Sequence, residues 1–507
     1  MGRLINIIKG KAFIYVALFV GCISLLFIGQ ENQYGIFAWI APIFLLHFSR
    51  RAKPIRFVFL FLLLIMTGFI TQKSHNLFND PVIGAINGVS YAFITMIIYV
   101  IDRMLFVKGK RLVHTLVFPS VYVVIEALVT SKIGTSGVLA QSQFSFTPFA
   151  QLSTITGLHG ITFIICWFAS VLYWFFENDF KSTFVKNGLL TFGSVFILII
   201  SYGFIKTASQ AEAQKTVRVA TISGPFDLHR LAQREKDVLL RLGKQPNMKI
   251  PASFFSGEKD ISVQIKNTRN AAELGAKIIV WSEASLFLNQ NQLNSIITEV
   301  KNISKAFNTY VLLAFFEERS SDAPKPINNK SILIGKDGTI VWEYKKAHPT
   351  PSEIPVVNSG NSEIPVVDTQ YGRLGNVICY DYDFPSFLAQ ANRKNVDIML
   401  VPAYDWKEFA SMHSKMAQFE TLQSGRLLIR SNGNGINMVS NDQGKIIAEL
   451  NTFNNTNKIL YANLPLNSSP TVYAETANAF VMFCFICFVL SIVLKITLLF
   501  KLKRMSN

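Results

Sequence analysis

At 507 residues, half of them hydrophobic and only 16% charged, the chain is too apolar for an ordinary soluble enzyme, and its 43 phenylalanines say the same. A formal net charge of +17 would suit a nucleic-acid partner, but no nucleic-acid motif accompanies it. The basic residues gather instead in short loops between apolar runs, as membrane proteins place them. Those runs fall roughly at 12–29, 34–48, 57–72, 82–101, 112–130, 160–176, 188–205 and 478–500. Each is near the ~20 residues that cross a hydrocarbon core, so about eight spans are expected, with 34–48 and 160–176 short enough to be tilted or partly interfacial. The first run follows a basic start but has no small-residue cleavage site, which reads as a retained anchor.

Arg3, Lys9 and Lys11 precede the first span. Arg50, Arg51, Lys53 and Arg56 follow the second, Arg103, Lys108, Lys110 and Arg111 the fourth, Lys181 and Lys186 the sixth, and Lys501, Lys503 and Arg504 the last. The alternate loops carry only Lys73 and Lys132. The positive-inside rule then places both termini in the cytoplasm and residues 208–477 outside. Three regions are expected: 1–207 as a transmembrane helical domain, 208–477 as an extracytoplasmic catalytic domain, and 478–507 as a last span with a cytoplasmic tail. Cys22, Cys166, Cys484 and Cys487 fall in spans, where a thiol is a small hydrophobe. Cys379 alone belongs to the outward region, so it is either a buried spectator or kept for its reactivity.

From Val217 the chain turns to short β-rich runs: "VRVATIS", "AKIIVWSEAS", "YVLLAFFEE", "KSILIGKDGTIVWEY", "RLGNVICYD", "VDIMLVPAY" and "GINMVSNDQGKIIAEL". Between them "VQIKNTRNAAELG", "LNSIITEVKNISKAFN", "FPSFLAQANRKN" and "HSKMAQFETLQSGR" have the spacing of amphipathic helices. "GKDGT" and "NDQGK" are predicted hairpin turns, and the alternation predicts helices layered on sheets. His348 and His413 have no Cys or His at ligand spacing, so no metal or other cofactor is expected. The strand ends carry the chemistry. Glu283 follows one strand, Lys345 and Lys346 a second, Cys379 a third. A carboxylate, an amine and a thiol so placed can form a base, an oxyanion-stabilising cation and a nucleophile, with the Tyr380 N–H as a second oxyanion donor. Taken singly, Glu283 reads equally as a strand-end residue and Lys346 as a solvated one.

"VWSEAS", "EYKKAH" and "VICYDYDFP", in that order, resemble the Glu, Lys and Cys motifs of the nitrilase, or carbon–nitrogen hydrolase, superfamily. The segment "MAQFETLQSGRLLIRSNGNGINMVSNDQGKI" is similar to that fold's later helix and strands. The resemblance implies an αββα sandwich (α+β) and a catalytic triad of Glu283, Lys346 and Cys379. Lys346 is chosen over Lys345 because the family reads Tyr-x-Lys. The membrane half narrows this: "YGIFAWIAPIFLL", "FPSVYVVIEALVT" and "AQLSTITGLHGITFII" resemble span segments of the apolipoprotein N-acyltransferase family, a bacterial inner-membrane family. That implies transfer of a fatty acyl chain from a membrane phospholipid, through a Cys379 thioester, to the N-terminal amine of an S-diacylglyceryl-cysteine lipoprotein. The phospholipid and the lipoprotein are then the partners, and a monomer is expected.

The pattern departs from the family where substrate is handled. The loop after the lysine, ending at Glu353, is one residue shorter and lacks the family's Phe-Gly. Asp381 stands where the family has Glu, and the family's Asn-Asp-x-Trp-Phe survives only around Asp405 and Trp406. Glu353, Tyr380, Asp381 and Trp406 are the expected supporting residues. Phe254 and Phe255 in "IPASFF", with the Tyr404–Trp406 loop, are candidates to dip into lipid or simply to pack in a core. Glu126 is expected to bond a neighbouring helix. The alternatives are a membrane-anchored amidase, in which water resolves the acyl-enzyme, acyl transfer to another amine, and a non-enzymatic membrane scaffold.

Overall fold

The computed structural model describes the chain apart from residues 1–9, 11, 29–33, 73–80, 110, 179–181, 210–214, 228–230, 232–237, 239–240, 243–248, 320–322, 456 and 507. Arg3, Lys9, Lys11, Lys73, Lys110 and Lys181, used above for orientation, therefore lie outside the described residues. The chain divides into two compact units, one of Met1–Ile133, Gly137–Gln210 and Thr476–Asn507, the other of Gly134–Ser136 and Ala211–Glu475.

The first unit is helical: α1 (Phe13–Leu26), α2 (Gly35–Arg51), α3 (Phe57–Gln72), α4 (Pro81–Leu105), α5 (Val117–Ile133), α6 (Leu158–Glu177), α7 (Thr183–Ala208) and α12 (Ala479–Ser506). Among the described residues, six segments are long and apolar enough to cross a membrane, those of α3 to α7 and α12. Helix α1 has 14 residues and α2 has 17, so the count of eight full spans is not reached by length. The run at 160–176, expected to be short, is a 20-residue helix. Large apolar side chains such as Leu190, Ile197 and Leu198 of α7 and Leu490 and Leu499 of α12 are exposed, as on a lipid-facing surface. Helices α3 and α4 meet closely because both contact residues are glycines: a Cβ on Gly68 would lie 2.6 Å from Gly88 O. Glu126 of α5 accepts from Thr162 Oγ1 (3.2 Å) and Leu139 N–H (3.1 Å), and its Oε2 lies 2.9 Å from His159 Nδ1. It bonds the neighbouring helix α6, the structural role expected for it.

The second unit is two stacked sheets between helices. One sheet contains β1 (Thr216–Ile222), β2 (Ile278–Trp281), β4 (Tyr310–Glu318), β5 (Ile327–Ile334), β6 (Ile340–Lys345) and β14 (Ile459–Pro465) in the order β14-β1-β2-β4-β5-β6. Two short strands, β3 (Phe287–Leu288) and β7 (Val357–Asn358), pair with β4 and β5. The other sheet runs β13-β12-β11-β10-β9-β8, from β8 (Val366–Thr369), β9 (Gly372–Asn376), β10 (Ile398–Ala403), β11 (Leu427–Asn432), β12 (Ile436–Ser440) and β13 (Ile446–Asn451). The central strands β1-β2-β4 and β9-β10-β11 are parallel, and their neighbours outward are antiparallel.

The inner faces interdigitate: Val219, Val280, Leu312 and Leu333 from one sheet pack with Leu374, Leu400, Ile429 and Val439 from the other. Helices α8 (Glu258–Glu273) and α9 (Gln290–Phe307) cover the first sheet, and α10 (Pro385–Arg393) and α11 (Lys407–Ser424) the second. Helix α9 forms where the sequence provides both ends. Asn289 and Gln292 make a reciprocal capping box, Asn308 adopts the left-handed conformation at the exit, and Leu293, Ile296, Val300 and Ile303 bury one stripe. Both predicted hairpins are present, closed at Gly338 (φ +82°) and Gly444 (φ +71°). Phe254 is fully buried among Phe287, Phe316 and Ile327, so of the two roles considered for it the core is the one it takes.

Candidate active site

Glu283 follows β2, Lys346 follows β6, and Cys379 opens the short turn Cys379–Asp383 after β9. Parallel strands deliver their C-terminal ends to one edge of each sheet, which is where such folds collect ligands and chemistry. Lys346, only 1% exposed, donates from Nζ to Glu283 Oε1 at 2.8 Å and to Glu353 Oε2 at 2.7 Å. Asn329 of β5 ties the same two carboxylates together, donating to Glu283 Oε1 (2.7 Å) and Glu353 Oε1 (3.0 Å). The loop carrying Glu353 folds back on the lysine: Thr350 N–H donates to Glu353 Oε2 (2.8 Å), and Gly360 N–H to Lys346 O (2.8 Å). Only glycine allows that return, since a Cβ on Gly360 would sit 2.2 Å from Lys345 O.

Cys379 has φ +48°, in the left-handed region that costs a β-carbon-bearing residue roughly 1–3 kcal/mol. Its sulphur faces the Tyr404 carbonyl at the end of β10, 3.9 Å away. Burial pushes the thiol well above its ordinary range, the Glu283 carboxylate adds to that, and the Lys346 ammonium pulls the other way. Burial also raises Glu283; the ammonium opposes this, and the Glu353 carboxylate raises it again. Burial alone would lower Lys346, but the two carboxylates outweigh it and hold the amine protonated well above its usual value. The free site therefore stores a thiol, an ammonium and a base of raised proton affinity. Attack by sulphur requires its proton to leave as the new bond forms.

Asp381 is fully buried and does not face an open site. Its carboxylate accepts from Tyr344 Oη (2.7 Å), His348 N–H (2.7 Å), Ala347 N–H (3.3 Å) and Ile378 N–H (3.1 Å). His348 Nδ1 lies 3.0 Å from it, with the imidazole stacked on Phe384 at 4.2 Å. Asp381 thus clasps the lysine loop to the nucleophile's turn. Tyr380 is half-buried with its ring edge-on to Phe384, 4.9 Å between centroids. Trp406 stands at the start of α11, stacked on Phe409 at 4.8 Å and packed with it against Met412 and Met416.

Four polar residues around the site were not among the site residues expected from sequence: Asn329, Asp383, His413 and Arg430. The signal for two of them was present. Asn328-Asn329-Lys330-Ser331 is a polar run inside a strand buried along its whole length, and Arg430 is a cation in the otherwise apolar "LLIRSN". His413 was considered only for metal ligation and set aside on spacing. The fold nevertheless brings one ligand-type atom each of Cys379, Asp405 and His413 within 4.8 Å of one another.

Residues 244–472 match the carbon–nitrogen hydrolase family, and residues 21–171 match the apolipoprotein N-acyltransferase N-terminal domain. With the six long apolar helices, these matches give a carbon–nitrogen-hydrolase-like unit in a chain whose helical unit is apolar enough to cross a membrane. The chain is 29% identical over 199 residues to the deaminated glutathione amidase of Dictyostelium discoideum, covering 35% of this chain and 67% of the relative. It is 23% identical over 382 residues to the apolipoprotein N-acyltransferase of Rickettsia typhi (strain ATCC VR-144 / Wilmington), covering 70% of this chain and 71% of that one. An amidase from Nesterenkonia sp. superposes on 55% of this chain and 100% of its own, with 15% identity and a TM-score of 0.41. Over both of its units the chain is thus similar to the apolipoprotein N-acyltransferases.

Proposed function

We propose that this chain moves a fatty acyl group from a membrane phospholipid to the N-terminal amine of a diacylglyceryl-cysteine lipoprotein, with Cys379 as the covalent carrier. The observation that carries the reading is the buried Glu283–Lys346–Glu353 arrangement acting on a strained thiol, in a chain whose other half belongs to the membrane. Glu283 takes the thiol proton as Sγ attacks the ester carbonyl. Two of the three Lys346 N–H bonds are held by carboxylates, which leaves the third for the oxyanion, beside the Tyr380 N–H. Collapse breaks the ester C–O bond, and Glu283 returns its proton to the departing lysophospholipid alcohol. The lipoprotein amine then attacks the thioester and gives a proton to Glu283. Cys379 leaves as a thiol and the amide is formed. Splitting the transfer through a thioester replaces one difficult amide synthesis with two easier steps.

Both termini on the cytoplasmic side of a bacterial inner membrane, with residues 208–477 on the outer side, is the orientation we infer. Its support is the excess of Lys and Arg in alternate loops. In this reading Glu353, Asp381 and Trp406 hold the site in shape, and the chain acts as a monomer.

The test uses the full-length protein in phospholipid micelles with an alkyne-tagged acyl phospholipid. Label on Cys379 that neutral hydroxylamine removes, that Cys379→Ala never acquires, and that waits for a diacylglyceryl peptide is the expected result. Label lost quickly to water alone would make the chain an amidase; no label would leave the scaffold reading.

A further inference from the structure

His413, near the middle of α11, is buried beside the nucleophile yet takes no part in the exchange described above. The Cys379–Asp405–His413 cluster invites two readings, a metal centre or a second thiol–imidazole relay. Arg430 of β11 argues against the first. Its Nη2 lies 2.9 Å from Asp405 Oδ2 and 2.9 Å from His413 Nδ1, so a guanidinium stands where a metal cation would be held. The imidazole's own bonding argues against the second. Nδ1 faces Asp405 Oδ1 at 2.6 Å and Nε2 faces Asp383 Oδ1 at 3.2 Å, which leaves no ring nitrogen for the sulphur. Nδ1 meets both Asp405 Oδ1, which only accepts, and Arg430 Nη2, which only donates; the shorter 2.6 Å contact to the carboxylate gives Nδ1 the hydrogen and leaves the guanidinium bonded to Asp405, while Nε2 donates to Asp383, so the ring is an imidazolium.

We propose that His413 is a positioning residue: its imidazolium clamps Asp383, at the end of the nucleophile's turn, to Asp405, beyond the strand whose Tyr404 carbonyl faces the sulphur, and cancels their charge at the thiol. The cluster's charge closes to zero, two aspartates against His413 and Arg430. Asn432 completes it, donating to Asp405 Oδ2 at 2.6 Å and accepting from Asp405 N–H at 3.2 Å. Burial alone would lower the imidazole's proton affinity, but Asp405 and Asp383 outweigh it and push it up to about 9. The other charged groups acting on the sulphur are Glu283 and Lys346, already paired with each other. Glu420, further along α11, has its own cation, Arg426, at 3.9 Å. Without His413, one aspartate charge beside the thiol is uncancelled, and the thiolate is harder to form.

The inference rests on Cys379 being the nucleophile, but its test needs no lipid substrate. The full-length protein in micelles is alkylated with iodoacetamide at about pH 8, and modification of Cys379 is followed by peptide mass spectrometry, separately from the four cysteines in the helical unit. His413→Gln keeps hydrogen-bonding capacity but removes the charge, and is expected to slow alkylation about tenfold. Asp383→Asn removes a negative charge from the same network and is expected to accelerate it several-fold. Opposite signs from two changes to one cluster are what charge cancellation requires. Slowing by both, or no change in either, overturns the proposal. If His413→Gln loses its cooperative melting transition, Asp383→Asn decides alone: faster alkylation supports the clamp and unchanged or slower alkylation refutes it. Alkylation rates that shift as expected in a protein that never forms the lipid thioester would sink the acyl-transfer reading and leave this one standing.

Discussion

Both units bury charge, but the pairs of the helical unit and the Glu283–Lys346–Glu353 set of the sandwich unit do so by opposite rules. In the helical unit Arg50 and Asp102, each at most 1% exposed, form a matched pair with two parallel bonds of 2.8 Å. The guanidinium is sandwiched by Phe106 and Tyr173, 4.1 and 4.8 Å from their ring centres. Arg51 with Glu177, and Arg103 on the Ser49 and Ala52 carbonyls, likewise satisfy each charge in place. In the sandwich unit one ammonium serves two carboxylates, Glu283 and Glu353, and a thiol adds a third potential anion. A balanced pair locks a structure; an unbalanced set leaves one carboxylate with raised proton affinity, which is what a base working on a thiol needs.

Removing the shared cation should have the largest effect. Lys346→Met leaves the buried Glu283 carboxylate facing the half-buried Glu353 carboxylate and takes away the oxyanion donor. A loss of acyl transfer of at least about a thousandfold is expected from the missing oxyanion stabilisation, with about 3–5 kcal/mol of stability from the stranded charges. Single-turnover acylation and thermal melting of the same sample measure both. A variant that melts earlier but acylates at the normal rate would remove the lysine from the chemistry.

Arg50→Ala should break only the other half of the comparison. It strands Asp102 without its partner and should cost about 3–5 kcal/mol, read as a melting temperature lowered by several degrees in micelles. The alkylation rate of Cys379 should stay unchanged. A large change in that rate would mean that the two sets of charges are coupled rather than independent.

The contrast also explains what the sequence made legible. Glu283, Lys346 and Cys379 stood out because each follows an apolar strand, but it was the order of their motifs, resembling that of the carbon–nitrogen hydrolases, that joined them into a candidate triad. Glu353 was picked out by the same resemblance, as the glutamate of the loop after the lysine. Asp381 was read as part of the site, but its depth was not, because its partners Tyr344 and His348 come from β6 and the loop after it, more than 30 residues away. The same holds for His413: Asp405 comes from the loop just before its own helix, but Asp383 and Arg430 come from the nucleophile's turn and from β11, and no spacing along the chain records that meeting. In the helices, hydropathy marked where the spans lie but not their exact lengths. Helix α1 stops at Leu26, short of the apolar run that contains it.

Glu353→Gln sharpens the unbalanced side. It keeps a hydrogen-bond acceptor for Lys346 but removes the charge that, after burial and against Lys346, raises Glu283. Glu283 works as a base only when ionised, so the rate climbs as pH rises through its proton affinity. Lowering that affinity moves the acid limb of the rate profile to lower pH, while the maximal rate falls about 10- to 100-fold from the loosened lysine. An acid limb that stays in place would show that Glu353 does not act on Glu283 electrostatically.

The smallest effect should come from Tyr344→Phe. The hydroxyl donates to Asp381 Oδ2 at 2.7 Å, and Asp381 keeps its bonds from three backbone N–H groups when that one is lost. A buried acceptor with partners to spare makes the change cost about 1 kcal/mol. Its effect on rate should be a few-fold at most, because Asp381 would still clasp the lysine loop to the nucleophile's turn. Asp381→Asn is the sharper companion. An amide presents only one acceptor oxygen to donors now shared by two, so one of the backbone N–H groups would be left facing an NH2. The ratio of the two losses therefore measures how much of the site's geometry is carried by the carboxylate that stands here in place of the family's longer glutamate. Equal losses would mean that the tyrosine bond carries the clasp, and the backbone donors little of it.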